Sequence, residues 1–234
     1  MDDSRAIRRL AAAETRADAF AIARAFFRGQ GFHALSYVRP SRQEPGRADV
    51  ESFGFPEAWT ALYDEELNRI DPFPALVARA GRPIRFSEIA AVRPVNADHQ
   101  LFIERAREHG VTDGFVFPTF GPRLQVAAIG ISMADHPDRV DHADVPVYHS
   151  IAQALHLRID QLEQGAGERP HLAPREVIIL HWIARGKSNE EIALILGNKR
   201  PTIATHIKRI FAKLDVTDRA SAAVQGLKHG LISV

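Results

Sequence analysis

The stretch SNEEIALILGNKRPTIATHIKRIFAKL, residues 188–214, constrains the chain more than any other. It holds two short amphipathic segments joined across Gly197–Arg200. Ser188 and Glu191 form a capping-box pattern, in which each side chain serves the other's backbone amide and so starts a helix. Gly197 stops it. In the second segment Ile203, Ile207, Ile210 and Leu214 recur at three- and four-residue spacing and give an apolar stripe. Ala204, Thr205, Lys208 and Arg209 lie on its other faces, and no acid occurs between 199 and 214. Two short helices joined in this way, the second one basic, form a helix-turn-helix pattern. In such a unit the second helix enters the major groove. The competing reading is a solvated surface helix.

The flanking residues complete a small helical module. APREVIILHWIARG carries Val177, Leu180, His181 and Ala184 on one face. Pro174 suits its first turn and Gly186 its end. DRASAAVQGLKHG begins at Asp218, a good N-cap. Charge sets this module apart. Residues 171–234 hold ten Lys or Arg and five Asp or Glu, whereas residues 1–170 hold twenty and twenty-four. A basic half beside an acidic one suggests two modules, the basic one facing a polyanion.

This C-terminal module resembles the DNA-binding domain of the LuxR family of transcription regulators. The matching residues are Leu172, Pro174, Arg175, Glu176, Gly186, Lys187, Glu191, Ile192, Ala193, Leu196, Gly197, Thr202, Ile203, His206, Lys213, Leu214 and Ala220. They span essentially all of 171–231. The resemblance implies an all-α four-helix domain that dimerises through its last helix. It implies that Ala204, Thr205 and Lys208 face the bases, that Lys199, Arg200, Lys187 and Arg209 sit nearer phosphates, and that Thr202 belongs to the DNA-facing set. Lys199 departs from the Ser often found as the helix cap. Pro201 lies just inside the helix, where its missing N–H costs nothing.

The first 162 residues read as a mixed α+β domain. SRAIRRLAAAETRADAFAIARAFFRGQG reads as a helix ended by Gly29 and Gly31, and VPVYHSIAQALHLRIDQLEQ as an amphipathic helix. Between them lie strand-like runs FHALSYV, GFVFPTF and LQVAAIGISMA, alternating with helical PEAWTALYDEEL and NADHQLFIERAREHG. These predict a small antiparallel sheet flanked by helices. EQGAGERPHLAP marks a boundary, so the expected domains are 1–162, a linker at 163–173, and 174–234.

In FPEAWTALYDEELNRIDPF, residues 55–73, Trp59 and Tyr63 stand four apart on one helical face, and Asp71-Pro72 and Phe73 follow. By themselves these residues read either as core plus an N-cap or as the wall of a ligand pocket. A buried ionised Asp needs a donor, and a ligand amide N–H would supply a charge-assisted bond. The spacing resembles the autoinducer-binding domain of quorum-sensing LuxR-type receptors, with matches at Trp59, Tyr63, Asp71, Pro72 and Gly114. That resemblance implies an α/β/α sandwich enclosing an N-acyl-homoserine lactone. It implies that Trp59 donates to the lactone carbonyl, that Asp71 accepts from the amide N–H, and that Tyr63 lies near the acyl carbonyl. Phe55 replaces a usual Tyr, Phe86 a usual Trp, and Gly130 a common Ser or Thr. The Tyr63-to-Asp71 spacing is one residue short. These departures point to a short, branched or aromatic acyl group.

Other function classes fare worse. Cysteine is absent, which removes thiol chemistry and Cys-based zinc sites. No G-x-S-x-G pattern exists for a lactone hydrolase. The cluster ADHPDRVDHAD, 134–144, lacks regular metal-ligand spacing and reads as a polar loop with helix caps. No run of about 18 apolar residues occurs, and the N-terminus lacks a signal-peptide pattern. The expectation is a cytoplasmic, non-enzymatic transcription factor with no cofactor or metal. Its expected partners are DNA, a second copy of itself, a small-molecule autoinducer and RNA polymerase, and no membrane. A ligand-independent regulator of the same family is the alternative.

Overall fold

The computed structural model describes residues 2–41, 43–89, 96–111, 113–122, 125–164 and 170–233. The chain forms two compact units, the first of residues 1–121 and 126–165 and the second of residues 122–125 and 166–234.

The first unit opens with helices α1 (Asp3–Ala11) and α2 (Arg16–Gly29). The sequence suggested one continuous helix here. Thr15 breaks it by adopting an extended backbone and accepting the Asp18 amide at 3.1 Å as an N-cap. Strands β1 (Phe32–Pro40) and β2 (Ala48–Phe53) follow, then α3 (Glu57–Leu62), α4 (Phe73–Ala80), β3 (Ile84–Arg85) and α5 (Ala97–Glu108). The unit closes with β4 (Gly114–Phe120), β5 (Val126–Ala134), α6 (Pro137–Asp141) and α7 (Val145–Gln164). The five strands form one antiparallel sheet in the order β2-β1-β5-β4-β3.

The sheet is covered on both faces, as a sandwich requires. Because side chains alternate along a strand, each strand supplies both layers. Leu35, Tyr37, Phe115, Phe117, Ile129 and Ile131 pack with α1, α2 and α7. Val38, Val116 and Ala128 pack with Trp59, Tyr63, Leu76, Val77 and Phe102 from the opposite helices. The residues facing the first layer are bulkier than those facing the second.

The second unit comprises α8 (Pro174–Ala184), α9 (Asn189–Ile195), α10 (Arg200–Leu214) and α11 (Arg219–Lys228). The expected caps are present. Ser188 Oγ accepts the Glu191 amide while Glu191 accepts the Ser188 amide, and Asp218 accepts the Ser221 amide. Ile203, Ile207, Ile210 and Leu214 are buried with Ile179, Leu180 and Ile192. Each such side chain contributes roughly 1.5–3 kcal/mol by burial. Gly226 lets α11 approach α8, since a Cβ there would meet Leu180 Cδ2 at 2.7 Å.

Candidate functional site

Between the sheet and helices α3, α4 and α5 lies a cavity of about 50 Å³. Its wall includes Phe55, Trp59, Tyr63, Asp71, Phe73, Phe86 and Gly130, seven of the residues expected from sequence. The local fold explains their convergence. After Leu62 the α3 backbone widens into a π-helical turn, Tyr63–Leu67, closed by the Asn68 amide donating to the Tyr63 carbonyl at 2.8 Å. The buried Asn68 side chain accepts the Ala48 amide and donates to the Ala48 carbonyl, which ties this turn to β2. Such π turns recur at functional sites.

Tyr63 OH donates to Asp71 Oδ2 at 2.7 Å, and the Phe73 amide donates to Oδ1 at 2.9 Å. Asp71 as a whole is half-buried, but its carboxyl is enclosed. Burial raises its pKa to about 6 against the lowering effect of its two donors. Burial and the adjacent Asp71 charge likewise push the Tyr63 hydroxyl well above its ordinary range. Trp59 is buried with its ring centroid 5.8 Å from Phe102 and 6.0 Å from Tyr63, and its indole N–H has no partner among the described residues. Phe73 and Phe86 pack at 4.7 Å. Beside Phe86, Arg85 donates to Asp113 and Asp141 and fixes β3 against the body of the unit.

Gly114 departs from expectation, because it does not line the cavity. A Cβ there would lie 2.0 Å from the Ile131 carbonyl oxygen, so the glycine serves the close approach of β4 to β5. Residues missed from sequence include Ser36, Ser52, Phe102 and Val111. Strand alternation carried the signal for Ser36, once its neighbours Leu35 and Tyr37 are placed in the first layer.

The 134–144 segment, which the sequence presents as a polar loop with helix caps, contains the short helix α6, and Asp144 accepts the Val147 amide at the start of α7. Among the described residues no group of His, Asp and Glu could hold a metal ion. Nor is any described helix long and apolar enough to cross a membrane.

In the second unit Thr202, Thr205, Lys208 and Arg209 are exposed on α10, Ala204 is half-buried, and Lys199 and Arg200 are exposed at its N-terminus. The cations divide into two sets. Lys187 pairs with Glu191 at 3.0 Å, Arg200 with Glu190 at 2.6 Å, and Lys213 with the buried Glu176 at 2.7 Å. Lys199, Lys208 and Arg209 make no ion pair among the described residues. These three exposed positive charges are thus left without acidic partners, which suits a polyanion.

With both sites in view, the matches to known proteins decide the family. The Autoinducer binding domain matches residues 15–159, and the family described as bacterial regulatory proteins, luxR family, matches residues 170–225. The chain belongs to the LuxR family of bacterial regulatory proteins. It is similar to the HTH-type quorum sensing-dependent transcriptional regulator RpaR of Rhodopseudomonas palustris, at 29% identity over 181 residues, 76% of this chain and 73% of RpaR. It also resembles the transcriptional activator protein LuxR of Aliivibrio fischeri, at 25% identity over 189 residues, 76% of this chain and 73% of that protein. The crystal structure of Escherichia coli SdiA shares its fold with a TM-score of 0.72, at 20% identity, covering 99% of this chain and 98% of SdiA. This LuxR-type chain is therefore an autoinducer-binding transcription regulator. Its family consists of regulators rather than enzymes, and they take a signal rather than a cofactor.

Proposed function

We propose that this regulator binds an N-acyl-homoserine lactone with a short, branched or aromatic acyl group and, as a homodimer, binds roughly palindromic promoter DNA. One observation carries the ligand reading. An enclosed carboxylate, Asp71, lines the same aromatic cavity as an unpaired indole N–H, Trp59. An amide N–H donating to Asp71 and a lactone carbonyl accepting from Trp59 satisfy both. Phe55, Phe73 and Phe86 offer apolar surface to the acyl group and ring. RpaR, described as quorum sensing-dependent, supports a quorum-sensing signal as the ligand.

For DNA, the supporting observation is the set of unpaired cations on α10. Ala204, Thr205 and Lys208 face base edges, with Thr202 beside them. Lys199, Arg200, Lys187 and Arg209 face phosphates, Arg200 and Lys187 exchanging their glutamates for them. Val224 on α11 is 57% exposed, as suits a helix that meets its copy. Two recognition helices then read half-sites about one turn apart. The ligand domain spans 1–162, the linker 163–173 and the DNA-binding domain 174–234. The regulator acts in the cytoplasm, and bound at a promoter it meets RNA polymerase.

The test is expression with and without a panel of acyl- and aroyl-homoserine lactones. Soluble yield, melting temperature and the mass of any retained ligand are recorded. A retained lactone with a raised melting temperature is expected. Equal yield and melting temperature throughout would refute the reading and favour a ligand-independent regulator.

A further inference from the structure

The cavity's sheet wall carries a polar group that the ligand reading leaves unused. Ser36 lies on β1 between Leu35 and Tyr37, which face the other layer, so its side chain faces the cavity. Its ladder partners are Ser52 on β2 and Gly130 on β5. A Cβ at position 130 would stand 2.5 Å from Ser36 Oγ. The hydroxyl therefore occupies the space that a side chain at 130 would claim, and glycine leaves it there. It makes no hydrogen bond among the described residues. Val38, Val116 and Ala128, its neighbours on this wall, are apolar.

We propose that Ser36 is the residue that holds the acyl carbonyl of the signal, donating its hydroxyl hydrogen to that oxygen from the wall opposite Asp71. The inference rests on the lactone reading above. Its geometry follows from amide chemistry. In a trans amide the N–H and C=O point in opposite directions. Asp71 precedes α4 on the helical side of the cavity, whereas Ser36 stands on the sheet. An amide that gives its N–H to Asp71 presents its oxygen toward the sheet. Of the other donors, Ser52 stands one strand farther out, on the edge strand β2. Tyr63 OH donates to Asp71, Trp59 N–H serves the lactone, and Phe55 has no hydroxyl. The Ser36–Gly130 pair thus moves a hydroxyl from β5 to the adjacent strand without removing it from the cavity.

Isothermal titration of the full-length protein with N-butanoyl-, N-(3-methylbutanoyl)- and N-benzoyl-homoserine lactone tests this. Ser36→Ala is expected to weaken every lactone that the wild type binds by about tenfold, the loss of one hydrogen bond that leaves a polar partner unmatched. The melting temperature of the lactone-free protein is expected not to change, because the hydroxyl bonds nothing in it. Ser36→Gly combined with Gly130→Ser returns a hydroxyl from β5 and is expected to bind within about threefold of wild type. Wild-type affinity in Ser36→Ala overturns the inference and leaves the receptor reading standing. A fall in the lactone-free melting temperature that accompanies the loss makes the role structural and also overturns it. A wild type that binds no lactone refutes the receptor reading, and this inference with it.

Discussion

The Asp71 carboxyl offers the sharpest test, because its protonation affects stability and ligand affinity in opposite senses. Its folded pKa is about 6 against an ordinary value of 3.8. Burial favours the neutral acid, so ionising it at neutral pH costs the fold about 3 kcal/mol, at about 1.4 kcal/mol per unit. For a group whose folded pKa is raised, stability is fully present below the unfolded value and is lost as pH rises through the folded value. Lowering the pH from 7.5 to 5 should therefore return about 1.4 kcal/mol to the lactone-free protein. Glu191, held near 2 chiefly by the Ser188 amide, gives up its contribution only at more acid pH. The ligand works the other way. An amide N–H prefers the carboxylate, so binding at pH 5 must first expel a proton, and affinity should fall about tenfold between pH 7.5 and 5. Asp71→Asn provides the reference. Its amide can donate to Tyr63 and accept from Phe73, so the fold survives. Its stability should lack the wild type's extra acid stabilisation, and its lactone affinity should be at least about 100-fold lower, from the lost charge-assisted bond. Urea unfolding and titration calorimetry at the two pH values read both quantities. A wild-type affinity that is flat from pH 5 to 7.5 would refute the assignment of Asp71 as the amide's acceptor.

Three further perturbations probe other parts of the molecule. Lys208→Ala should reduce the preference for operator over random DNA, whereas Arg209→Ala should weaken both alike and lower the salt slope of binding by about one; gel shifts at two salt concentrations separate them. Gly114→Ala drives a methyl into the Ile131 carbonyl and should destabilise the first unit by about 3 kcal/mol or more, with no selective effect on ligand preference, as measured by urea unfolding. Glu176→Gln leaves the α8 cap weakened and Lys213 unpaired, and should destabilise the second unit by about 1–3 kcal/mol, seen as faster amide exchange in 174–228.

The two units were legible to different degrees, for a physical reason. The second is built from local signals. Ser188, Asp218 and Pro174 each start a helix through groups within one turn, and the Ile203–Leu214 stripe places α10 without long-range information. In the first unit the strongly periodic pieces, α7 at Val145–Gln164 and β4 at Gly114–Phe120, were readable to the residue. Strand β2 was not, because ADVESF is a half-exposed edge strand whose identity depends on pairing with β1. The two-residue β3 and the α4 helix, with Pro74 in its first turn, also take their shape from tertiary contacts. The break at Thr15 was hidden by alanines on its N-terminal side that suit a helix equally well. Ser36 shows a subtler limit. A polar residue in an alternating strand is ordinarily assigned to water, but this sheet is covered on both faces, and the polar position reports a cavity instead.

The unequal filling of those two faces suggests how a receptor of this kind responds to its signal. Leu35, Tyr37, Phe115, Phe117, Ile129 and Ile131 fill one layer with protein alone. Ser36, Val38, Val116, Ala128 and Gly130 leave the other with space beside an enclosed carboxylate. Both features weigh on the ligand-free state. The cavity forfeits contacts, and ionised Asp71 costs about 3 kcal/mol at neutral pH. A ligand at about 100 times its dissociation constant restores about 2.7 kcal/mol by mass action, a stabilisation of the same size as that cost. The residues that recognise the amide therefore also set how much stability the first unit lacks without it. Relieving the cost by Asp71→Asn should stabilise the unit and deprive it of its reason to respond.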